Sequence, residues 1–286
     1  MQDPYISVIV PLYNKEDSIE STINSVLNQS YNNCELIIVN DGSSDRSVEI
    51  VRGINDNRIV LIEQKNGGPS KARNTGVSHS HGSWILFLDA DDELAEGALQ
   101  YLYSQTQIFP ESNIIDGSFV VRENNKENYV IYEEGKCIKN KYKAFFYKET
   151  LPSTGHTLFK KEILIKFPYN TAIRRYEDVE MIMRIMKEAR IVTISKPIFY
   201  VNTAYSNASS PRRFLKEDFL GHLDFSNKSF WEFMCLYQFY LGERDNYTHE
   251  VDRLYPHLRY RYDLLLLYKL LHFYNIIKKN VFQRKH

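Results

Sequence analysis

The residues best suited to chemistry are Asp89, Asp91, Asp92 and Glu93, which follow directly on the apolar run Trp84 to Leu88. The run has the length and type of a strand buried on both faces. Its acids cannot be buried unpaired, because desolvating a carboxylate costs more than a strand returns. The strand therefore ends near Asp89 and delivers the acids to its carboxyl edge, where open α/β sheets bind ligands. Two carboxylates gathered there suit a hard divalent cation shared with substrate phosphates. The competing reading is a solvated turn, with Asp91, Asp92 and Glu93 in the first turn of a following helix. A second acidic pair, Glu177 and Asp178, opens a helix with the apolar stripe Val179, Ile182, Met183, Met186 and Ala189. There too the acids suit the helix dipole, so a structural and a chemical role are both open.

The elements that must position these acids alternate. Ile6 to Val10 reads as a β-branched strand stopped by Pro11, whose missing N–H ends the ladder. A helix capped by Asp17 or Ser18 carries Ile19, Ile23, Val26 and Leu27 at helical spacing. Leu36 to Val39 is a second buried strand, ending at Asp41, and Ile59 to Ile62 a third. Asn66 to Pro69 is a loop before a short helix over Ser70 to Val77, and the strand at Trp84 follows. Such alternation predicts βαβ units and a mainly parallel sheet. It brings Pro11 to Asn14, Asp41 and Asp89 to Asp92 to one edge. Gly67-Gly68 is no phosphate loop, since no Gly-Lys-Ser/Thr follows, and the first strand lacks the spaced glycines of a dinucleotide fold.

At this point the chain resembles the inverting family 2 glycosyltransferases, which have the GT-A fold. The resemblance rests on Ser7-Val8-Ile9-Val10-Pro11-Leu12-Tyr13-Asn14 and on Glu35 to Asp45. It continues through Ala72-Arg73-Asn74-Thr75-Gly76, Phe87-Leu88-Asp89-Ala90-Asp91-Asp92 and Tyr176-Glu177-Asp178-Val179-Glu180. The first four segments cover the first ~100 residues in the family's order, although each alone is weak. The resemblance implies that Pro11 and Tyr13 line a base pocket, and that Asp41 and Arg73 recognise uracil and ribose. It implies Asp89 near ribose and metal, Asp91 as the main ligand of Mn²⁺ or Mg²⁺, Asp178 as general base and Glu177 as a positioning acid. The implied activity is inverting transfer of a hexose or N-acetylhexosamine from a UDP-sugar. The acceptor would be a hydroxyl of a saccharide or lipid-linked saccharide, in the synthesis of cell-surface polysaccharide or oligosaccharide. The chain departs from the family between Tyr200 and Ser206, where a histidine that often helps bind the metal is absent.

The remaining candidates come from residue type. His156 is read either as an acceptor or phosphate contact or as a structural histidine. Arg212 and Arg213 are read either as a fork closing over the diphosphate or as a solvated pair. Val251 to His286 carries eight Lys/Arg against Asp252 and Asp263, a local net of +6, interleaved with Leu264 to Leu267, Leu270, Leu271 and Phe273. This stretch reads as a basic amphipathic helix lying on an anionic bilayer, as a helix packed on the catalytic domain, or as a homodimer interface.

Composition sets the frame. The chain has 286 residues, 43% hydrophobic and 25% charged, an ordinary globular balance. Its 36 basic and 36 acidic residues give no overall field for nucleic acid. Its three cysteines show neither metal spacing nor a disulfide framework, which points to a reducing compartment. With no signal-peptide pattern at the N-terminus and no long apolar run, a protein of the cytoplasm or of the inner face of the plasma membrane is expected. The expected layout is a GT-A catalytic domain over 1–205, with a nucleotide-sugar half 1–100 and an acceptor half 101–205, and a helical region over 206–286. The alternatives are a sugar-1-phosphate nucleotidyltransferase and a non-catalytic sugar- or membrane-binding scaffold. The first would want a glycine-rich basic loop after the opening strand. The second sits poorly with intact Asp41, Asp89, Asp91 and Asp178.

Overall fold

The computed structural model describes residues 6–123, 126–203, 215–243, 248–258 and 261–283. The first half is built as the alternation demands. β1 (Ile6–Leu12), α1 (Ile19–Leu27), β2 (Cys34–Asn40), α2 (Ser47–Gly53), β3 (Ile59–Glu63), α3 (Pro69–His79) and β4 (Trp84–Phe87) follow in turn. β5 (Glu93–Leu94), α4 (Ala98–Ile108), β6 (Ile114–Glu123), β7 (Lys126–Val130), β8 (Lys136–Cys137) and α5 (Lys141–Phe146) come next. β9 (Thr157–Lys160), α6 (Lys161–Lys166), α7 (Glu177–Ile185) and β10 (Ile191–Asn202) complete one ten-stranded sheet and its helices. The strand order is β3-β2-β1-β4-β9-β6-β10-β5, with β7 on β6 and β8 on β10. Strands β3, β2, β1 and β4 are parallel, as expected. Beyond them β9 runs antiparallel to both β4 and β6, so the second half of the sheet is mixed.

Two details differ from the sequence reading. Pro11 lies inside β1 and pairs with Val39 rather than ending the strand. It is tolerated because β4 reaches only to the level of Ile9. The Ile9 carbonyl, two residues earlier on the same edge, accepts from Leu88, the first residue past β4. The missing N–H of Pro11 thus faces an edge without a ladder partner. Ser18 precedes α1 but does not cap it with its side chain. Its hydroxyl donates instead to the Ala90 carbonyl at 2.8 Å, tying α1 to the acidic loop.

Alternation along β1 and β2 divides the interior into two layers. Val8, Val10, Leu36 and Ile38 meet Ile19 and Ile23 of α1 and Leu99 and Leu102 of α4. Ile9, Ile37 and Val39 meet Ala72 and Val77 of α3. That second layer is continuous with the C-terminal helices α8 (Phe230–Glu243), α9 (Thr248–Leu254) and α10 (Tyr262–Gln283). Met234, Tyr237 and Tyr240 of α8, with Val251, Tyr255 and Leu258, are all buried in it. Each such side chain contributes about 1.5–3 kcal/mol of burial. Helices α8 and α9 are therefore packed on the central sheet. Helix α10 sets Leu264, Leu267, Tyr268 and Leu271 against the same layer, while Leu266, Leu270 and Phe273 stay exposed. Among the described residues, no helix is long and apolar enough to cross a membrane.

Candidate active site

A cavity of about 590 Å³ opens where β1, β2 and β4 end. Pro11, Tyr13, Asp41, Arg73, Asp89 and Asp91 all line it, and so does Glu177, brought in from α7. The edge predicted from strand alternation is thus a real concavity.

Asp41 is buried and already occupied. Its Oδ1 accepts from Gln64 Nε2 at 2.7 Å and from the Gly67 amide at 2.8 Å, and its Oδ2 from the Gly68 amide at 2.8 Å. It folds the 64–68 segment into the cavity wall rather than capping a helix. Gly68 serves this with φ +87°, a left-handed backbone that glycine adopts without strain, and Pro69 then starts α3.

Arg73 is 4% exposed and forms a clamp. Its Nη2 donates to Asp89 Oδ1 at 2.9 Å and its Nη1 to Glu177 Oε1 at 2.7 Å. The guanidinium also lies 5.3 Å from the Tyr169 ring centroid. Burial works against its charge, but Asp89, Tyr169 and Glu177 outweigh that and hold it well above the ordinary arginine value. Burial pushes Glu177 up, the neighbouring Asp178 adds to this, and Arg73 opposes it. Arg73 thus joins the end of β4 to the start of α7, which lies 104 residues beyond Arg73 in sequence.

The acidic loop is internally compensated. Asp91 Oδ2 accepts from Lys15 Nζ at 2.6 Å, with side chains 14% and 19% exposed. Burial still raises the Asp91 carboxyl, against Lys15. Asp92 accepts from the Asn202 amide at 2.9 Å, and burial, reinforced by Asp89 and Asp91, pushes it up to about 8. Asp89 and Asp91 face the cavity together. As two hard oxygen donors with room beside them, they fit a divalent cation completed by phosphate oxygens, provided Lys15 moves off Asp91.

Asp178 faces a second cavity of about 390 Å³, shared with Ser153, Thr154 and the rings of Phe119, Phe145 and Phe199. Its Oδ2 accepts from Ser153 Oγ at 2.9 Å. Tyr176, just before α7, adopts φ +59°, an uncommon left-handed backbone for a non-glycine residue. That turn sends Glu177 into the first cavity and Asp178 into the second. Asp89 lines both cavities, which adjoin at this residue.

The loop carrying Ser153 and Thr154 hangs on Asp116, a fully buried carboxylate in β6. It accepts from Thr150 Oγ1 at 2.6 Å, Thr157 Oγ1 at 2.9 Å and the Leu151 amide at 3.1 Å. His156 belongs to this support. Its ring stacks on Phe119 at 4.3 Å, and Nε2 lies 3.0 Å from the Leu151 carbonyl and 3.5 Å from Asp116. Burial lowers its pKa against the pull of Asp116. His156 lines the second cavity but not the first, and its Nε2 lies within hydrogen-bond reach of the Leu151 carbonyl. Arg212 and Arg213 lie outside the described residues. Lys15, Arg174, Ser153 and Asp116 went unassigned in the sequence. Lys15 and Arg174 had the one available signal, a cation beside a strand-end loop or an acidic pair.

Comparison with known proteins places the chain in a family. Residues 7–167 match the model of glycosyl transferase family 2, more than half of the chain. The chain belongs to glycosyl transferase family 2. Glycosyltransferase GlyA of Streptococcus pneumoniae is 42% identical over 105 residues, covering 36% of this chain and 15% of its own. The uncharacterized glycosyltransferase EpsJ of Bacillus subtilis is 40% identical over 129 residues, covering 44% of this chain and 37% of its own. The chain thus spans well under half the length of these two relatives. The crystal structure of S. aureus TarS 1–349 is 22% identical with TM-score 0.62, over 70% of this chain and 60% of that one. TarS 1–349 in complex with UDP-GlcNAc gives TM-score 0.61 at 23% identity, over 69% of this chain and 58% of that one. The family 2 glycosyltransferase described here therefore has the GT-A fold, with its central mixed sheet flanked by helices and a helical C-terminal region.

Proposed function

We propose that this glycosyltransferase binds a UDP-hexose or UDP-N-acetylhexosamine in the cavity beside Asp91. It would transfer the sugar, with inversion, to a hydroxyl held against Asp178. The observation that carries this reading is that Asp89 lines both cavities, so a donor in the first and an acceptor in the second would meet beside it. TarS has been crystallised with UDP-GlcNAc and with UDP, which supports the same nucleotide here. Pro11 and Tyr13 would flank the base, with Asp41 fixing the wall behind it. Asp178 would take the proton of the acceptor hydroxyl. The hydroxyl oxygen then bonds to the anomeric carbon as the bond to the diphosphate breaks, from the opposite face. Lys15 and Arg174, both lining the donor cavity, supply positive charge beside the departing diphosphate. Asp89 and Asp91 would hold Mn²⁺ or Mg²⁺, which when bound neutralises charge on that leaving group.

The wider setting is part of the same reading. The product would be a cell-surface polysaccharide or oligosaccharide made at the cytoplasmic side of the membrane. The exposed stripe of α10 and the net +6 of 251–286 would rest on anionic lipid; equal, poor sedimentation of full-length and truncated protein with anionic vesicles would remove that element. The deciding experiment is calorimetric titration of UDP, with GDP as comparison, with and without Mn²⁺, on wild type and Asp91→Ala. Metal-dependent UDP binding lost in the variant is expected. Absence of UDP binding under every condition would overturn the proposal.

A further inference from the structure

Next to the Asp178 cavity lies a third one that the transfer chemistry leaves unexplained. It is a groove of about 270 Å³ between α7 and α8. Tyr176, Val179 and Met183 form one wall at helical spacing, and Cys235, Leu236, Phe239 and Gly242 the other. Phe145, Leu151 and Val179 line both this groove and the Asp178 cavity, so the two adjoin. Val179 follows Asp178 directly in α7, which places one wall residue of the groove next to the proposed base.

We infer that this groove takes the hydrocarbon chain of a lipid-linked acceptor whose sugar occupies the Asp178 cavity. The inference rests on the proposed function for the placement of the acceptor sugar, and it adds where the rest of that acceptor goes.

The chemistry of the walls selects the occupant. Apart from Lys148, Gln238 and the Tyr176 hydroxyl, the lining is apolar. The Tyr176 hydroxyl already accepts from Arg175 at 3.0 Å. A sugar or nucleotide placed here would lose hydrogen bonds to water without replacement. A hydrocarbon chain loses nothing and buries apolar surface at about 25 cal/mol per Å². Lys148 is the one cation in the lining. It is exposed, held with φ +56°, and has no ion-pair partner among the described residues. An apolar groove with a single exposed ammonium in its lining matches an amphiphile whose chain bears a phosphate. An isoprenoid or alkyl phosphate has that pattern.

Gly242 makes the groove testable without disturbing the core. It lies in α8, and a Cβ added there meets no atom within 4 Å. Replacing glycine within a helix also carries no propensity cost. The experiment is calorimetric titration of farnesyl phosphate into the full chain, for wild type, Gly242→Leu, Gly242→Trp and Lys148→Met, with UDP titrated in parallel. Wild type should bind farnesyl phosphate. Affinity should fall in order of filler size, by about tenfold for Gly242→Trp, the loss of roughly two buried methylenes. Lys148→Met should lose affinity for farnesyl phosphate while farnesol binds wild type and variant alike. UDP affinity should be the same in all four proteins. Farnesyl phosphate that fails to bind wild type overturns the inference, whether or not UDP binds. Binding that is indifferent to both Gly242 fillers overturns it as well, and assigns the lipid to another surface such as the exposed stripe of α10. Graded loss at Gly242 in a protein that does not bind UDP would uphold the groove as a lipid site and overturn the donor assignment instead.

Discussion

Replacing Arg73 by methionine tests whether the clamp between β4 and α7 is electrostatic. Methionine keeps much of the aliphatic stem and removes the guanidinium. The Asp89 side chain is 37% exposed, so water screens its lost pair and the change there is small. Glu177 is 12% exposed and loses the one cation paired with it among the described residues. An uncompensated buried carboxylate costs about 3–5 kcal/mol if it stays ionised. Glu177 can avoid part of this by taking a proton. In the unfolded chain it titrates near the ordinary value of 4.5. Holding it neutral at pH 7 then costs about 1.4 kcal/mol per pH interval, or about 3 kcal/mol altogether. The sign follows from linkage: a carboxyl raised in the folded state weakens folding as pH rises above the unfolded value, and the loss disappears as pH falls toward it. At pH 5 the same variant should lose less than about 1 kcal/mol relative to wild type. Urea unfolding of both proteins at pH 7 and pH 5 reads this directly. Arg73→Met/Glu177→Gln should restore part of the stability at pH 7 and remove the pH dependence. An equal loss at both pH values would show that packing over Tyr169, rather than charge, is what Arg73 supplies. A loss under about 1 kcal/mol at pH 7 would refute the clamp altogether.

Three further outcomes follow from the site. Asp178→Asn should lower kcat by about 10²–10⁴-fold while leaving UDP affinity unchanged, and Ser153→Ala, which removes one neutral hydrogen bond to that carboxylate, by only about tenfold; equal loss of UDP binding in either variant would place Asp178 in the donor site instead. Lys15→Met should tighten Mn²⁺ binding in the absence of nucleotide by about tenfold, because it removes the ammonium paired with Asp91; titration of Mn²⁺ alone reads this, and weaker binding would show that Lys15 does not compete with the cation. Asp116→Ala should cost about 2–4 kcal/mol in urea unfolding, since two threonine hydroxyls and the Leu151 amide lose a buried acceptor, and it should lower kcat more than UDP affinity because only the Ser153 loop depends on it.

The sequence by itself determined the strands and the edge they share. β-branched runs such as Ile6 to Val10 and Leu36 to Val39 have few alternatives to a buried parallel strand, and a parallel sheet has only one carboxyl edge. Asp41, Asp89 and Asp91 were therefore bound to meet there, whatever the rest of the chain did. The sequence also placed Glu177 and Asp178 at a helix start, because the apolar spacing begins at Val179. Tertiary structure alone decided how these charges are balanced. Arg73 and Glu177 are 104 residues apart, and Lys15 and Asp91 are 76 apart. No local pattern encodes such pairs, since they depend on how α3, α7 and the loop after β1 converge on the end of β4. The same holds for Pro11, whose place inside β1 depends on where the neighbouring strand stops. The sharp division between Glu177 and Asp178, one facing each cavity, depends on the left-handed turn at Tyr176. The groove beyond Asp178 depends on the seating of α8 against α7, and an apolar helix face reads the same in sequence whether it fills a core or lines a site.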